Sequence, residues 1–178
     1  MDLADLLAKQ AITEQIYRYC RGTDRMDYEL TRSVWHEDGT VDFSMGLGAA
    51  GYPDMPPPIP VGLHLDWAWQ ARLRWDRTSH QATNILIGVS GTSAVSETCS
   101  ISVLRRSEGE DSHVSDLFWG RWLDRWSLRG GRWAIDHRQA VTDTCSQIVT
   151  PADLPANVAA AASRRDRQDP SYGYSDFA

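Results

Sequence analysis

Cysteine is scarce in this sequence. Only Cys20, Cys99 and Cys145 occur, far apart and without a CxxC pair, which favours reduced thiols over a disulfide framework. Nothing around them indicates an activated thiolate, and no GxSxG sequence provides a nucleophilic serine. Covalent catalysis by a cysteine or a serine is therefore not expected.

Long apolar runs and a surplus of positive charge are also missing. No stretch approaches the ~20 apolar residues of a membrane span, and the start MDLADLLAKQ lacks the basic and apolar regions of a signal peptide. The net charge of −6 gives no broad positive field for nucleic acid or an anionic membrane. We therefore expect no nucleic-acid or membrane partner and a cytoplasmic location.

Cofactor motifs are absent or out of context. The sequence GLGAAG at Gly46–Gly51 has the spacing of a dinucleotide-binding loop, but the prolines from Pro53 to Pro58 prevent the helix that must follow it. Histidines occur at positions 36, 64, 80, 113 and 137, without an HExxH motif or another close pairing. We therefore predict no cofactor, and only a metal held by residues distant in the sequence stays open.

Helical spacing dominates the first part of the chain. Apolar residues recur every three or four positions from Asp2 to Arg21, and Gly22 is a typical stop. Asp27 is a candidate N-cap of a short helix that runs through Trp35, and residues 40–44 then alternate as a strand does. The Gly- and Pro-rich segment Met45–Gly62 is predicted to be a mobile loop at the mouth of a cavity.

Helical spacing returns from Leu63 to Trp75, and β-like patterns fill the rest of the chain up to residue 142. Four runs, separated by the turn-like sequences SGTS, SEGEDS and RGG, predict successive antiparallel strands over residues 80–89, 94–105, 114–128 and 132–142. Helices first and strands afterwards favour an α+β fold.

Aromatic residues are abundant, with eight Trp, six Tyr and three Phe. A Trp-rich core explains any single one of them, but the whole set indicates a pocket for a flat or bulky apolar ligand. Side chains alternate along a strand, so Trp119 and Trp122 are expected to point in opposite directions. Phe118 and Trp122 share the parity of Gly120 and are expected to line the pocket, with Trp119 outside it.

Three segments resemble a known family: AITEQIYRYCRGTDRMDYELTRSVWHEDGTVDFS, SHQATNILIGVSGTSAVSET and FWGRWLDRWSLRGGRWAIDHRQAVTD. They are similar to the three blocks of the SnoaL-like group within the nuclear-transport-factor-2-like superfamily, over roughly residues 8 to 143. The resemblance implies a cone-shaped α+β barrel, with N-terminal helices packed on a curved, mostly antiparallel sheet. It would occupy residues 1–143, and a C-terminal extension, residues 144–178, would pack on it or on a neighbouring subunit.

The superfamily includes scytalone dehydratase, hexachlorocyclohexane dehydrochlorinase, ketosteroid isomerase and non-catalytic members. Asp24 and His80 match the Asp–His dyad of the dehydratase and the dehydrochlorinase. In such a pair the imidazole removes a proton next to a leaving group, and the carboxylate fixes its tautomer and stabilises the resulting cation. Arg138 matches a pocket arginine of the dehydrochlorinase, which would bind a leaving anion or a substrate oxygen; a structural cross-strand ion pair is the alternative.

Two departures from these relatives concern the leaving group. Tyr19 replaces a lysine of the dehydrochlorinase, and the second histidine of scytalone dehydratase has no counterpart in Val95–Arg105. A hydroxyl leaving group or an aldol-type cleavage is therefore favoured over loss of chloride. Tyr17 or Tyr19 would donate a proton to the substrate, but only one of them can face the cone.

Three hypotheses follow. The first is a cofactor-independent lyase for a hydrophobic, aromatic or polycyclic small molecule, with His80 as general base, Asp24 as its partner, and Arg138. The substrate would contact Tyr19, Trp75, Phe118 and Trp122. The second is an isomerase of the ketosteroid type, and the third is a non-catalytic binding or assembly module. A homodimer or homotrimer is expected, because the helices cover only one face of the curved sheet.

Overall fold

Helices pack on one side of a curled sheet in the computed structural model, which describes residues 2–43, 57–151 and 163–174. The elements in chain order are α1 (Leu3–Asp24), α2 (Tyr28–Ser33), β1 (Trp35–Asp42), β2 (Ile59–Pro60), α3 (Val61–Arg72), β3 (Arg77–Ser90), β4 (Ser93–Glu108), β5 (Ser112–Arg129), β6 (Arg132–Pro151) and a 3-10 helix (Pro170–Tyr174). None of the described helices is long and apolar enough to cross a membrane.

The six strands lie in the order β2-β1-β6-β5-β4-β3. Strand β1 is parallel to β6, and the other neighbours are antiparallel. Because β3 and β2 are the outer strands, the sheet is curled but not closed. The predicted α+β cone with a mostly antiparallel sheet is confirmed.

Helix α1 is held against the sheet by one apolar stripe. Its residues Ile12, Ile16 and Tyr19 recur at helical spacing and are almost completely buried. They join a core to which the sheet contributes Trp35 and Ile135. Asp2 caps the start of the helix, because its side chain accepts a hydrogen bond of 2.9 Å from the Asp5 backbone N–H.

The second helix is shorter than predicted. Asp27 is its N-cap, as expected, and accepts a hydrogen bond from the Leu30 backbone N–H. The helix ends at Ser33, however, and Trp35 begins strand β1, where it pairs with Ile135 of β6. Pairing with a strand so distant in sequence outweighs the helical spacing that local residues indicated.

Other boundaries also moved. Helix α1 continues through Gly22 to Asp24, and strand β6 runs past Thr142 to Pro151 because β5 pairs with it as far as Ser112. Helix α3 begins at Val61, inside the predicted loop Met45–Gly62. Most of that loop lies outside the described residues, so its mobility and its place at the mouth of the cavity stay predictions.

Residues 163–174 lie across the ends of α1 and α3. Arg25 forms an ion pair of 3.1 Å with Asp169, and the Tyr172 hydroxyl donates a hydrogen bond of 2.9 Å to Asp27. The Arg165 guanidinium donates to the backbone carbonyl oxygen of Trp75, just after α3. This segment therefore ties the α1–α2 turn to the end of α3.

Gly120 lies where the β5–β6 ladder is interrupted by a bulge. Trp119 pairs with Thr144 and Gly120 with Thr142, so Asp143 is an extra residue in β6. A Cβ atom at Gly120 would overlap the backbone carbonyl oxygen of Val141. The bulge thus depends on the missing side chain.

We predict that Gly120→Ala lowers the free energy of unfolding by roughly 1–3 kcal/mol, because the added methyl group forces the two strands apart. Urea unfolding followed by circular dichroism measures this. Gly88→Ala is the matched control, since its Cβ would meet only Val95 Cγ2 at an ordinary 3.6 Å. Equal losses in the two variants would contradict the role of Gly120.

Candidate active site

Asp24 and His80 are in direct contact. Asp24 is the last residue of α1, and His80 lies near the start of the edge strand β3. Asp24 Oδ1 is 2.6 Å from Nδ1 of the His80 ring, and Asp24 Oδ2 accepts a hydrogen bond of 2.8 Å from the His80 backbone N–H. One carboxylate therefore fixes both the ring and the backbone of His80.

The position of Asp24 is unfavourable for the helix that carries it. A negative charge in the last turn opposes the helix dipole, which costs about 0.3–1 kcal/mol at exposed sites. The contact with His80 offsets this cost, because an edge strand leaves backbone N–H groups without a neighbouring strand. Asp24 accepts one of these N–H groups.

Asp24 stays ionised despite its burial. Desolvation raises the pKa of its carboxyl group, but hydrogen bonds from the ring and backbone of His80 and the charge of the ring lower it more. The net result is a pKa below the ordinary 3.8. At neutral pH the group is a carboxylate, which only accepts hydrogen bonds.

The carboxylate also determines the tautomer of His80. Because Asp24 only accepts, Nδ1 of the neutral ring carries the proton, and Nε2 keeps its lone pair. His80 forms part of the wall of a cavity. The arrangement is that of a general base oriented by a carboxylate.

The cavity has a volume of about 220 Å³ and lies between α3 and the curled sheet. Its wall consists of Phe43, His64, Trp67, Ala68, Ala71, Arg72, Arg74, Trp75, His80, Ser100, Ser102, Leu104, Asp116, Phe118, Trp119, Gly120, Trp122, Ala140, Val141 and Thr142. An apolar cavity of about 150 Å³ holds benzene. This one therefore has room for one substituted ring or a small bicyclic molecule.

Three of the four aromatic residues predicted to contact substrate lie in this wall, namely Trp75, Phe118 and Trp122. Neither Trp75 nor Trp122 fills the cavity, because both line a volume of about 220 Å³ that stays open. Trp119 also borders the cavity, although it was expected to pack outside. It lies next to the β5–β6 bulge, where the strand pairing is irregular.

Tyr19, the fourth, is not in the wall. Its ring is 2% exposed and packs edge-on against Trp122, with centroids 5.2 Å apart, and against Trp35. It therefore supports the wall from behind. Tyr17, the alternative, is 52% exposed and points to solvent.

Arg138 also lies behind the wall. Its Nε and Nη2 atoms donate hydrogen bonds of 2.7 and 2.8 Å to the two oxygens of Asp124, and both side chains are completely buried. Asp124 and Arg138 face each other across β5 and β6. Of the two alternatives that the sequence left open, the structure contains the cross-strand ion pair.

His64 is a second imidazole in the wall that the sequence analysis did not assign to the site. Burial, together with the charges of Arg72 and Arg138, lowers its pKa to about 3, so the ring is neutral at physiological pH. It stacks on Phe43 with centroids 4.7 Å apart. The helical spacing could have indicated this position, because residues 64, 68, 71 and 72, which all line the cavity, share one face of a helix.

Two other kinds of site were sought among the described residues: a cluster of metal ligands and a reactive thiol at Cys20. No group of three or more His, Cys, Asp or Glu side chains among them is arranged to hold a metal ion. Burial, and secondarily the charge of Asp24, raises the pKa of the Cys20 thiol to about 12. Cys20 is therefore protonated, which removes it as a nucleophile.

Solved structures share this fold. A type 2 hexachlorocyclohexane dehydrochlorinase is 17% identical, with a TM-score of 0.70 and coverage of 88% of this chain and 99% of that one. A type 3 enzyme from Novosphingobium barchaimii is 19% identical, with a TM-score of 0.66 and coverage of 86% and 97%. A protein assigned as a scytalone dehydratase, from Novosphingobium aromaticivorans, is 19% identical, with a TM-score of 0.64 and coverage of 85% and 92%.

Sequence comparison gives the family itself. Curated proteins include no significant match. The profile of the SnoaL-like domain, however, matches residues 4–139, which contain both members of the Asp24–His80 pair and most of the cavity wall. The chain belongs to the SnoaL-like domain family.

Proposed function

We propose that the protein is a cofactor-independent lyase for a hydrophobic, aromatic small molecule. The observation that carries this proposal is the hydrogen-bonded Asp24–His80 pair with His80 in the wall of an aromatic cavity. The size of the cavity favours a one-ring or two-ring substrate over a larger polycycle. The structural neighbours assigned as a dehydratase and as dehydrochlorinases support the same class of reaction.

The proposed reaction is an elimination. Nε2 of His80 removes a proton from a substrate carbon, and the electrons of the broken C–H bond form a carbon–carbon double bond. The bond to the leaving group on the adjacent carbon breaks, and that group departs with its electron pair. Asp24 stabilises the imidazolium formed in this step, which then returns its proton to the leaving group or to water.

The remaining candidate residues are assigned supporting roles. Trp75, Phe118 and Trp122 hold the ring of the substrate through apolar and edge-to-face contacts. Tyr19 and Arg138 act from behind the wall, because both pack against Trp122 rather than against the cavity. Their removal would change the shape of the cavity and not the proton transfer itself.

Replacement of His80 by alanine is predicted to lower turnover by about 10²–10⁴-fold, which is the usual contribution of a positioned general base. The assay uses aromatic β-hydroxy ketones, alcohols and halides without cofactor and follows the absorbance of the new double bond. His113→Ala, a strand histidine outside the cavity wall, is the control and should keep full activity.

A second readout separates the lyase from the isomerase. In D₂O, nuclear magnetic resonance detects exchange of the proton next to a carbonyl group whether or not a leaving group departs. Exchange without elimination on every substrate of the panel would favour the isomerase. A folded His80→Ala protein with near-full activity would disprove the assigned base.

Replacement of Asp24 by asparagine is predicted to lower both activity and stability. The amide has one acceptor oxygen, whereas the carboxylate accepts two N–H groups from His80, so one donor loses its partner at a cost of about 1–3 kcal/mol. The amide NH₂ group can also donate to Nδ1, which favours the tautomer with the proton on Nε2. In that tautomer Nε2 has no free lone pair and cannot accept a proton from the substrate.

The stability difference should depend on pH. The pKa of Asp24 is lowered by folding, so its carboxylate stabilises the fold above the ordinary carboxyl range, and this contribution disappears as the pH falls through the folded-state pKa. Urea unfolding of wild type and Asp24→Asn at pH 7 and in acid measures the difference. Asp111→Asn, which removes an exposed carboxylate in the turn between β4 and β5, is the control. A pH-independent difference would contradict the assigned ionisation.

We also propose that a second copy of the chain covers the outer face of the sheet. Leu86 and Val95 are 70% and 55% exposed there, and they border a broad depression of about 650 Å³ that includes no residue of the dyad. Light scattering should give a dimer or trimer, and Val95→Lys should shift it toward the monomer. A wild-type mass of 20.0 kDa at micromolar concentration would disprove this.

A further inference from the structure

The cavity wall carries more positive than negative charge. Arg72 and Arg74 belong to it, and Asp116 is its only carboxylate among the described residues. Asp116 already forms an ion pair with Arg106 and accepts a hydrogen bond of 2.7 Å from Gln147. Its charge is therefore compensated outside the group of residues that line the cavity.

Arg72 has a buried donor without an acceptor. Its Nη1 atom has no hydrogen-bond partner among the described residues, and none of them forms an ion pair with this guanidinium. A buried donor without a hydrogen-bond partner lowers the stability of the fold, and the loss is larger for a charged group than for a neutral group. Because Arg72 is one of the residues of the cavity wall, a ligand in the cavity can bring the missing acceptor.

A structural explanation for Arg72 accounts for only part of this. An arginine at the C terminus of a helix interacts favourably with the helix dipole, and Arg72 is the last residue of α3. Its guanidinium, however, lies over the Trp69 ring, 5.7 Å from the centroid, and Arg72 is one of the residues that line the cavity. The dipole does not satisfy Nη1.

The C-terminal segment adds a second cation beside Arg72. Arg165 donates a hydrogen bond of 3.1 Å to the backbone carbonyl oxygen of Arg72, and its own Nε has no partner among the described residues. Burial, and next the charge of Arg72, lowers the pKa of Arg165. The two guanidinium groups therefore repel each other, and an anion bound at Arg72 would relieve this repulsion.

We infer that the cavity accepts an aromatic molecule with a carboxylate, which Arg72 binds while the ring lies against Phe118 and Trp122. A carboxylate matches the planar donor pair of a guanidinium. His64, neutral and in the same wall, does not compete as a cation. The inference rests on the proposed function only for the statement that this molecule is the substrate; the binding itself requires no catalysis.

The test compares benzoate with benzamide, which has the same shape without the charge. Isothermal titration calorimetry should show that wild type binds benzoate at least about tenfold more tightly, equivalent to about 1.4 kcal/mol. Arg72→Gln should abolish this preference, and Arg72→Lys, which keeps the charge but not the planar pair, should reduce it. Arg77→Gln is the matched control, because Arg77 lies outside the wall, and it should keep the preference.

His80→Ala separates this inference from the proposed function. The variant should retain the preference for benzoate even though it loses turnover. Equal affinity of wild type for benzoate and benzamide would overturn the inference, as would an unchanged preference in folded Arg72→Gln. If Arg72→Gln does not fold, as judged by circular dichroism, an unchanged preference in folded Arg72→Lys would overturn the inference.

Discussion

The buried guanidinium of Arg138 joins the layers of the fold. It donates two hydrogen bonds to Asp124 and lies 4.3, 5.4 and 4.5 Å from the ring centroids of Tyr19, Trp35 and Trp122. Burial lowers its pKa, but Asp124 raises the pKa more, so the group stays charged. A charge without water must keep these partners in place, because loss of one partner of a buried pair costs about 3–5 kcal/mol.

The position of the dyad follows from this arrangement. Tyr19 contacts Arg138 and belongs to the last part of α1, so the end of the helix is fixed over β5 and β6. Asp24, just beyond, then reaches the edge strand β3 and His80. The same guanidinium lies beside Trp122, which lines the cavity. The Asp24–His80 pair and the cavity wall are thus both positioned through contacts of one buried cation.

Local patterns predicted the features that depend on neighbouring residues. The apolar stripe of α1, the cap at Asp27 and the successive antiparallel strands are set by spacing and turn residues, and the structure contains them. Trp35 was misplaced because its strand pairs in parallel with β6, a contact that no local pattern encodes. Tyr19 was expected to contact the substrate, and for Arg138 the pocket role and the ion pair both stayed open, because the sequence does not distinguish a wall residue from the residue behind it. The family resemblance, rather than any spacing, brought Asp24 and His80 together.

The candidate site is also where this chain departs from the local rules of stability. Asp24 opposes the dipole of its own helix, and the Nη1 donor of Arg72 has no acceptor among the described residues. A folded protein tolerates such costs where the same groups serve another purpose, and it offsets them elsewhere. For Asp24 the compensation is visible, since His80 donates two hydrogen bonds to it. For Arg72 no described side chain provides it, which is why we assign its partner to the ligand.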